Sequence, residues 1–226
     1  MDLHVHTDRS TDALTPARYV AKIAARKGLS AIAVTDHDTL AGALEAIEHP
    51  AGIVVVPGVE IVVPGVEIST PRGHVVALGI TSLPRARDDI HELSDEVRGM
   101  GGILVAAHPF DAFSPFKGLE EVIDAFDAIE YANASVLNFS SHMRRAGELL
   151  GRVPRLGLSA GSDSHMPETL GDVRLVCDSE PESVDDVIEA VLRRRCEAVG
   201  RRTSLLLRAK KVLLTGLGGL RGRPRP

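Results

Sequence analysis

The chain has 226 residues, 44% apolar and 25% charged, and a net charge of −5. That size fits one soluble globular domain, and single α/β barrels occupy this range. The charge gives no reason to expect wholesale nucleic-acid or membrane binding. No run approaches the roughly 18 consecutive apolar residues of a membrane span, since the longest apolar stretch, Ile53–Val66, is broken by Pro57, Gly58, Glu60, Pro64 and Gly65.

In chain order, short β-branched runs alternate with amphipathic stretches, the pattern of βα units around a parallel sheet. Leu3–His6 reads as a strand and Thr15–Lys27 as a helix, with Thr15 as N-cap, Pro16 at its first position and Gly28 closing it. A second strand, Ala31–Thr35, precedes a helix over Leu40–Glu48, and Ile53–Val56 is a third strand. Val75–Leu78 pairs with the segment before the turn Pro71-Arg72-Gly73. Ile90–Met100 is helical and ended by Gly101-Gly102; Ile103–Ala107, Ala128–Tyr131 and Leu156–Ala160 are strands, with a helix around Ser141–Leu150. Ser183–Arg195 is the final helix, capped by Ser183, with Asp185 and Asp186 favourably placed in its first turn.

Asp2 follows Met1 with no basic or apolar lead, so a secretory signal is not expected. Cys177 and Cys196 form no metal clamp and are expected to be reduced structural thiols in a cytoplasmic protein. Of the 26 Lys and Arg, eight lie in residues 201–226, which hold no acidic side chain, leaving the first 200 residues at −13. The expected organisation is a domain over 1–200 and a basic extension over 201–226, disordered from Gly216 to Pro226. Two Tyr, five Phe and no Trp leave few platforms on which single-stranded bases could stack.

Val55-Val56-Pro57-Gly58-Val59-Glu60-Ile61 recurs unchanged as Val62-Val63-Pro64-Gly65-Val66-Glu67-Ile68. Seven is odd, so in one continuous strand Glu60 and Glu67 would face opposite sides of the sheet. A bend at Pro64-Gly65, with one copy looping out, reconciles the pair.

The chemistry gathers at strand ends. His4 and His6 share one face of the first strand by the period of two, with Asp12 in the loop that follows. Thr35-Asp36-His37-Asp38 ends the second strand, Glu67 and His74 flank the hairpin turn, His108 follows Ile103–Ala107, and Asp163 and His165 follow Leu156–Ala160. Carboxyl ends of strands are where (β/α) barrels build active sites. So many imidazoles and carboxylates in one dry mouth would suffer large desolvation penalties, which bound cations remove. Nitrogen and oxygen donors without thiolates suit Zn²⁺, Mn²⁺ or Fe²⁺ in an open site rather than a closed structural zinc. His49, His91 and His142 lie outside these motifs and read as surface residues.

The strings Asp2-Leu3-His4-Val5-His6-Thr7, Thr35-Asp36-His37-Asp38, Pro64-Gly65-Val66-Glu67-Ile68, Ala107-His108-Pro109 and Gly161-Ser162-Asp163-Ser164-His165 resemble, in order, the motif set of the PHP (polymerase and histidinol phosphatase) family. The resemblance covers about residues 1–200. It implies a distorted (β/α)₇ TIM-like barrel of the PHP type, two or three divalent metal ions, and phosphoesterase activity. It further implies one metal held by His4, His6, Glu67 and Asp163, a second by Glu67, His74 and His108, and a third by Asp12, His37 and His165. The family shows one Pro-Gly-Val-Glu-Ile segment where this chain has two, so Glu60 or Glu67 could be the bridging ligand. Glu67 is preferred, because Ser69-Thr70 and a short turn lead from it to His74.

Such a cluster would make a metal-bridging hydroxide available at neutral pH for in-line attack on phosphorus. Asp36, Asp38 and Asp111 are candidate proton donors or orienters of the imidazoles. Arg9, Arg72, Arg144, Arg145 and, by resemblance, Asn133 are candidate substrate contacts. The expected partner is a small phosphorylated substrate, with no membrane. A nuclease guided by the basic tail is the alternative, disfavoured by the acidic body, and a non-catalytic scaffold barrel would have lost ligands that this chain retains.

Overall fold

In the computed structural model, which describes residues 1–63, 72–86 and 88–219, the chain forms nine strands and six α-helices. Seven strands make one sheet in sequential order: β1 (Asp2–Val5), β2 (Ala31–Val34), β3 (Val54–Val63), β4 (Gly73–Leu78), β5 (Ile103–Ala106), β6 (Ala128–Asn133) and β7 (Gly157–Gly161). A bridge between Val5 and Ser164, with the His6 amide donating to the Ser164 carbonyl at 2.8 Å, brings the last strand back to the first. The expected distorted seven-strand barrel is what the chain adopts. Its distortion has a local cause. The β3–β4 hairpin reverses the chain, so β4 runs antiparallel to both β3 and β5, whereas the other pairs are parallel.

Five helices follow strands: α1 (Ala17–Arg26), α2 (Ala41–Ile47), α3 (Ile90–Gly99), α4 (Phe139–Arg152) and α5 (Val184–Leu192). Each buries one stripe; in α1 it is Ala17, Val20, Ala21 and Ala24, the spacing of a helix face. The stripes of α1 to α4 pack on the outward side chains of the strands, among them Ile32, Val34, Val75, Ala77, Leu104 and Ala106. The inward side chains form a separate interior cluster of Leu3, Ala33, Val56, Val76, Leu78, Val105 and Ala160.

The outer elements diverge from expectation. Thr15 is not the cap of α1: Pro16 occupies that position, and the Asp8 carboxylate accepts the Ala17 amide at 3.1 Å. Thr15 is instead buried, its hydroxyl lacking a hydrogen-bond partner among the described residues. Ser183 does cap α5, in a capping box with Asp186. Two strands absent from the sequence reading, β8 (Val173–Cys177) and β9 (Cys196–Gly200), pair antiparallel and set Cys177 opposite Cys196. The two sulfurs are joined, so the expected reduced thiols are corrected to a disulfide. Position decides this: nineteen residues apart in the chain, the cysteines are direct neighbours across a ladder.

Val173 and Leu175 join the interior cluster and, with Val187 and Val191 of α5, close the amino end of the barrel. A sixth helix, α6 (Leu205–Gly219), occupies much of the basic extension, including the start of the stretch expected to be disordered, and residues 220–226 lie outside the described residues. Among the described residues no helix is long and apolar enough to cross a membrane.

Candidate metal centre

The carboxyl ends of the strands converge as the sequence pattern requires. Ring centroids of His4 and His6 lie 5.2 Å apart, and those of His6 lie 4.4 Å from His37 and 4.3 Å from His165. His74 is 6.0 Å from His37 and 5.1 Å from His108, and His108 is 6.0 Å from His4. Six imidazoles from five strand ends therefore form one continuous patch. Asp163 Oδ1 stands 3.3 Å from His6 Nε2 and 3.8 Å from His4 Nε2, and Asp12 Oδ2 stands 3.0 Å from His165 Nε2. His37 Nε2 lies 3.7 Å from the other Asp12 oxygen.

Two triads offer donor atoms within 4.8 Å of one another: His4, His6 and Asp163, and His6, His37 and His165. The first is the expected first set without its glutamate, and the second joins His6 to the pair expected with Asp12. This donor set, imidazole nitrogen and carboxylate oxygen in a partly dry mouth, fits divalent transition metals.

Ring orientation supports that fit. His4 Nδ1 lies 3.0 Å from Glu130 Oε1, His6 Nδ1 meets Ser10 Oγ at 3.3 Å, and His165 Nδ1 faces the Asp163 carbonyl at 2.9 Å. In each ring the protein engages Nδ1 and leaves Nε2 facing the carboxylates, the way metal-binding imidazoles are set. Burial works against ionisation of Asp163, yet His4, His6 and His165 hold its carboxyl well below the usual carboxylate range. Burial likewise opposes ionisation of Asp12, and His165 and Lys211 hold that carboxyl below the usual range.

Backbone geometry aims these groups. Asp38, His108 and Asp163 take left-handed φ values of 53°, 28° and 50°, each just past a strand, where the chain turns back over the mouth. At Gly161 a Cβ would meet the His4 backbone nitrogen at 2.6 Å, so only glycine lets β7 run this close under His4. Of the duplicated segment, the first copy and Val62-Val63 of the second lie in β3: Glu60 pairs with Val76 and Val62 with His74. Glu67 lies outside the described residues.

A model of the PHP domain matches residues 2–211. The chain belongs to the PHP domain family. The uncharacterized protein MJ1587 of Methanocaldococcus jannaschii is 29% identical over 147 residues, 59% of this chain and 81% of that protein. A 3′,5′-nucleoside bisphosphate phosphatase of Chromobacterium violaceum is 36% identical over 114 residues, 47% of this chain but 39% of that enzyme. Among solved structures, a two-domain protein of Bacteroides vulgatus containing a predicted PHP-like metal-dependent phosphoesterase has the same fold, with a TM-score of 0.71 and 21% identity. That match covers 88% of this chain and 64% of the Bacteroides chain. The PHP domain match runs past residue 200 into α6, consistent with the contacts that tie this helix to the barrel.

The remaining candidates of this PHP domain have other neighbours. Asp36 is fully buried and accepts from the Thr7 amide at 2.7 Å, the Thr7 hydroxyl at 2.6 Å and the Ser10 hydroxyl at 2.8 Å; burial raises its pKa. It fixes the loop that carries Ser10 against His6. Asp111 accepts the amides of Phe113 and Ser114 and so shapes the turn after His108. Asp38 is exposed. Asn133 is fully buried and donates to Glu130 at 3.0 Å and to Asp163 at 3.4 Å, bracing the site from beneath. Arg9 pairs with Glu45, Arg144 with Glu148, and Arg72 lies 3.6 Å from Glu121. Arg145 stacks over Phe110.

His49 and His91 are exposed as expected, but His142 is corrected to a fully buried residue whose Nε2 meets the Glu130 carbonyl at 3.0 Å.

Two carboxylates escaped the sequence reading. Glu130 is 2% exposed and is bonded to His4, to the His108 amide at 2.7 Å and to Asn133. Asp2 is buried and accepts from the Ser162 and Gly171 amides, both at 2.8 Å, locking the loop that carries Asp163 and His165; burial pushes its pKa up to about 6. The available signal was an acidic residue at a strand position otherwise occupied by apolar ones.

Proposed function

We propose that this PHP domain is a metal-dependent phosphoesterase that hydrolyses a small phosphate monoester. The supporting observation is the rim cluster itself: six imidazoles with Asp12 and Asp163, three of the rings turned by Glu130, Ser10 and a backbone carbonyl so that Nε2 faces inward. The likeness to the Chromobacterium enzyme over 47% of the chain favours a nucleotide-like ester.

In this reading His4, His6 and Asp163 hold one cation, His74 and His108 a second, and Asp12, His37 and His165 a third. A glutamate from the duplicated segment, Glu60 or Glu67, completes the first two sets, and the short stretch of sequence from Glu67 to His74 favours Glu67 for it. When bound, the metals supply an activated water and neutralise charge on the phosphoryl oxygens. The chain's own residues do the rest. Glu130 and Asn133 hold His4 and Asp163 in place, Asp36 keeps Ser10 behind His6, and Asp2 anchors the loop of Asp163 and His165. Asp38, exposed beside His37, is the candidate donor of a proton to the departing alkoxide.

The test is a screen of the purified chain, treated with chelator and reloaded with Mn²⁺ or Zn²⁺, against phosphorylated metabolites, nucleoside bisphosphates and short RNA. Metal-dependent release of inorganic phosphate from a small ester is expected. Cleavage of RNA alone, or the same phosphate release with chelator present, would overturn the proposal.

A further inference from the structure

Asp12 sits in the loop between β1 and α1, with a side chain 41% exposed. Two of its neighbours, His37 and His165, are themselves candidate metal ligands. Its third is Lys211, whose Nζ donates to Asp12 Oδ2 at 3.0 Å across 199 residues of sequence. The same oxygen faces His165 Nε2 at the same distance. An ammonium thus stands against a carboxylate that, on the reading above, serves a divalent cation.

The helix carrying this lysine is tied down. Arg208 donates to the carbonyls of Ala134 and Ser135, Lys210 pairs with Glu168, and the Thr203 amide bonds the Ala134 carbonyl at 2.9 Å. The cavity between α6 and the rim, lined by Asp163, His165, Arg208 and Lys211, measures about 30 Å³, space for about one water. The contacts of Arg208 and Lys210 hold α6 in place. What can move is the lysine stem, 30% exposed and flexible, outward into solvent.

We propose that Lys211 is a built-in competitor of the cation at Asp12, His37 and His165. A divalent ion and an ammonium cannot share that carboxylate in a partly shielded site without strong like-charge repulsion. The ion must displace Lys211, and the lost ion pair is subtracted from its affinity. This set therefore binds its ion more weakly than its donors alone would allow. The inference rests on the metal-site reading but needs no substrate to test.

The experiment is calorimetric titration of Mn²⁺ into the chelator-treated full chain. Asp12→Asn should abolish one binding event and so identify it. Lys211→Met should tighten that event about twofold to fivefold, the scale of a partly exposed ion pair, and leave the other events alone. Lys211→Arg, which keeps the charge, should behave as wild type, and so should Lys210→Met, whose lysine pairs with Glu168 instead.

Unchanged or weaker Mn²⁺ binding in Lys211→Met overturns the proposal and makes Lys211 an orienting clamp. Equal tightening of every event overturns it too, as a general charge effect. Absence of any Mn²⁺ binding by the wild type would sink the metal-site reading together with this inference. Normal binding without ester hydrolysis would count against the phosphoesterase reading alone.

Discussion

At the carboxyl end of the barrel His4, His6, Asp36, Glu130 and Asn133 are buried to 2% exposure or less, whereas at the amino end Leu3, Leu78, Val173 and Leu175 are buried as deeply. The two ends share one interior and are stabilised by opposite means. The floor gains from apolar area removed from water, roughly 1.5–3 kcal/mol for each large side chain. The rim loses solvation at every ionisable group and recovers it through hydrogen bonds such as His4–Glu130 and Asp36–Thr7. On the proposed metal-site reading, such a rim would gain stability when cations bind. Equal burial therefore marks two different regions, one that keeps the barrel folded and one that gives it chemistry.

The contrast breaks most easily at Asp163. Its replacement by alanine should lower kcat/KM for a phosphate ester by about a hundredfold to a thousandfold, with little change in urea stability of the metal-free chain. Activity above a tenth of wild type would remove Asp163 from the site. On the floor, Leu78→Ala should do the converse, costing roughly 2–5 kcal/mol in urea unfolding while kcat in the folded protein stays near wild type. A large loss of kcat there would mean that the two ends are not separable.

Glu130→Gln sharpens the comparison, because Glu130 is buried at the rim without being a proposed ligand. It should weaken Mn²⁺ binding about tenfold to a hundredfold, read by competition with a metal-sensitive dye. Within the duplicated segment, Glu67→Ala should lose more metal affinity than Glu60→Ala; the reverse order would assign the ligand to Glu60.

The smallest effect belongs to His142. Burial lowers its pKa from 6.5 in the folded protein, so below that pH the unfolded chain takes up the proton more readily. Stability should fall as pH drops below 6.5, and His142→Gln should flatten that part of a plot of melting temperature against pH. An unaltered plot would show that the drop arises elsewhere.

Much of the rim was legible in the chain because its residues follow strands whose apolar runs are easy to see. His4 and His6 share a face by the period of two, and His108 and Asp163 come directly after β5 and β7. Glu130 was harder to read, since one acid inside Ala128–Asn133 looks the same whether it faces a histidine or water. The pairing of Cys177 with Cys196 and the contact of Lys211 with Asp12 had no local signal. Both depend on where β9 and α6 lie relative to elements far away in sequence.

By itself the sequence determined the alternation of strands and helices, the donor types and their place at strand ends, since these depend on spacings of two to four residues. Only the tertiary structure decided which carboxylate meets which imidazole, that the first copy of the repeat pairs with β4, that His142 is interior, and that a lysine from the last helix stands against Asp12. Those outcomes depend on chain closure: packing distant segments around one interior settles which groups meet, and no short-range pattern carries that information.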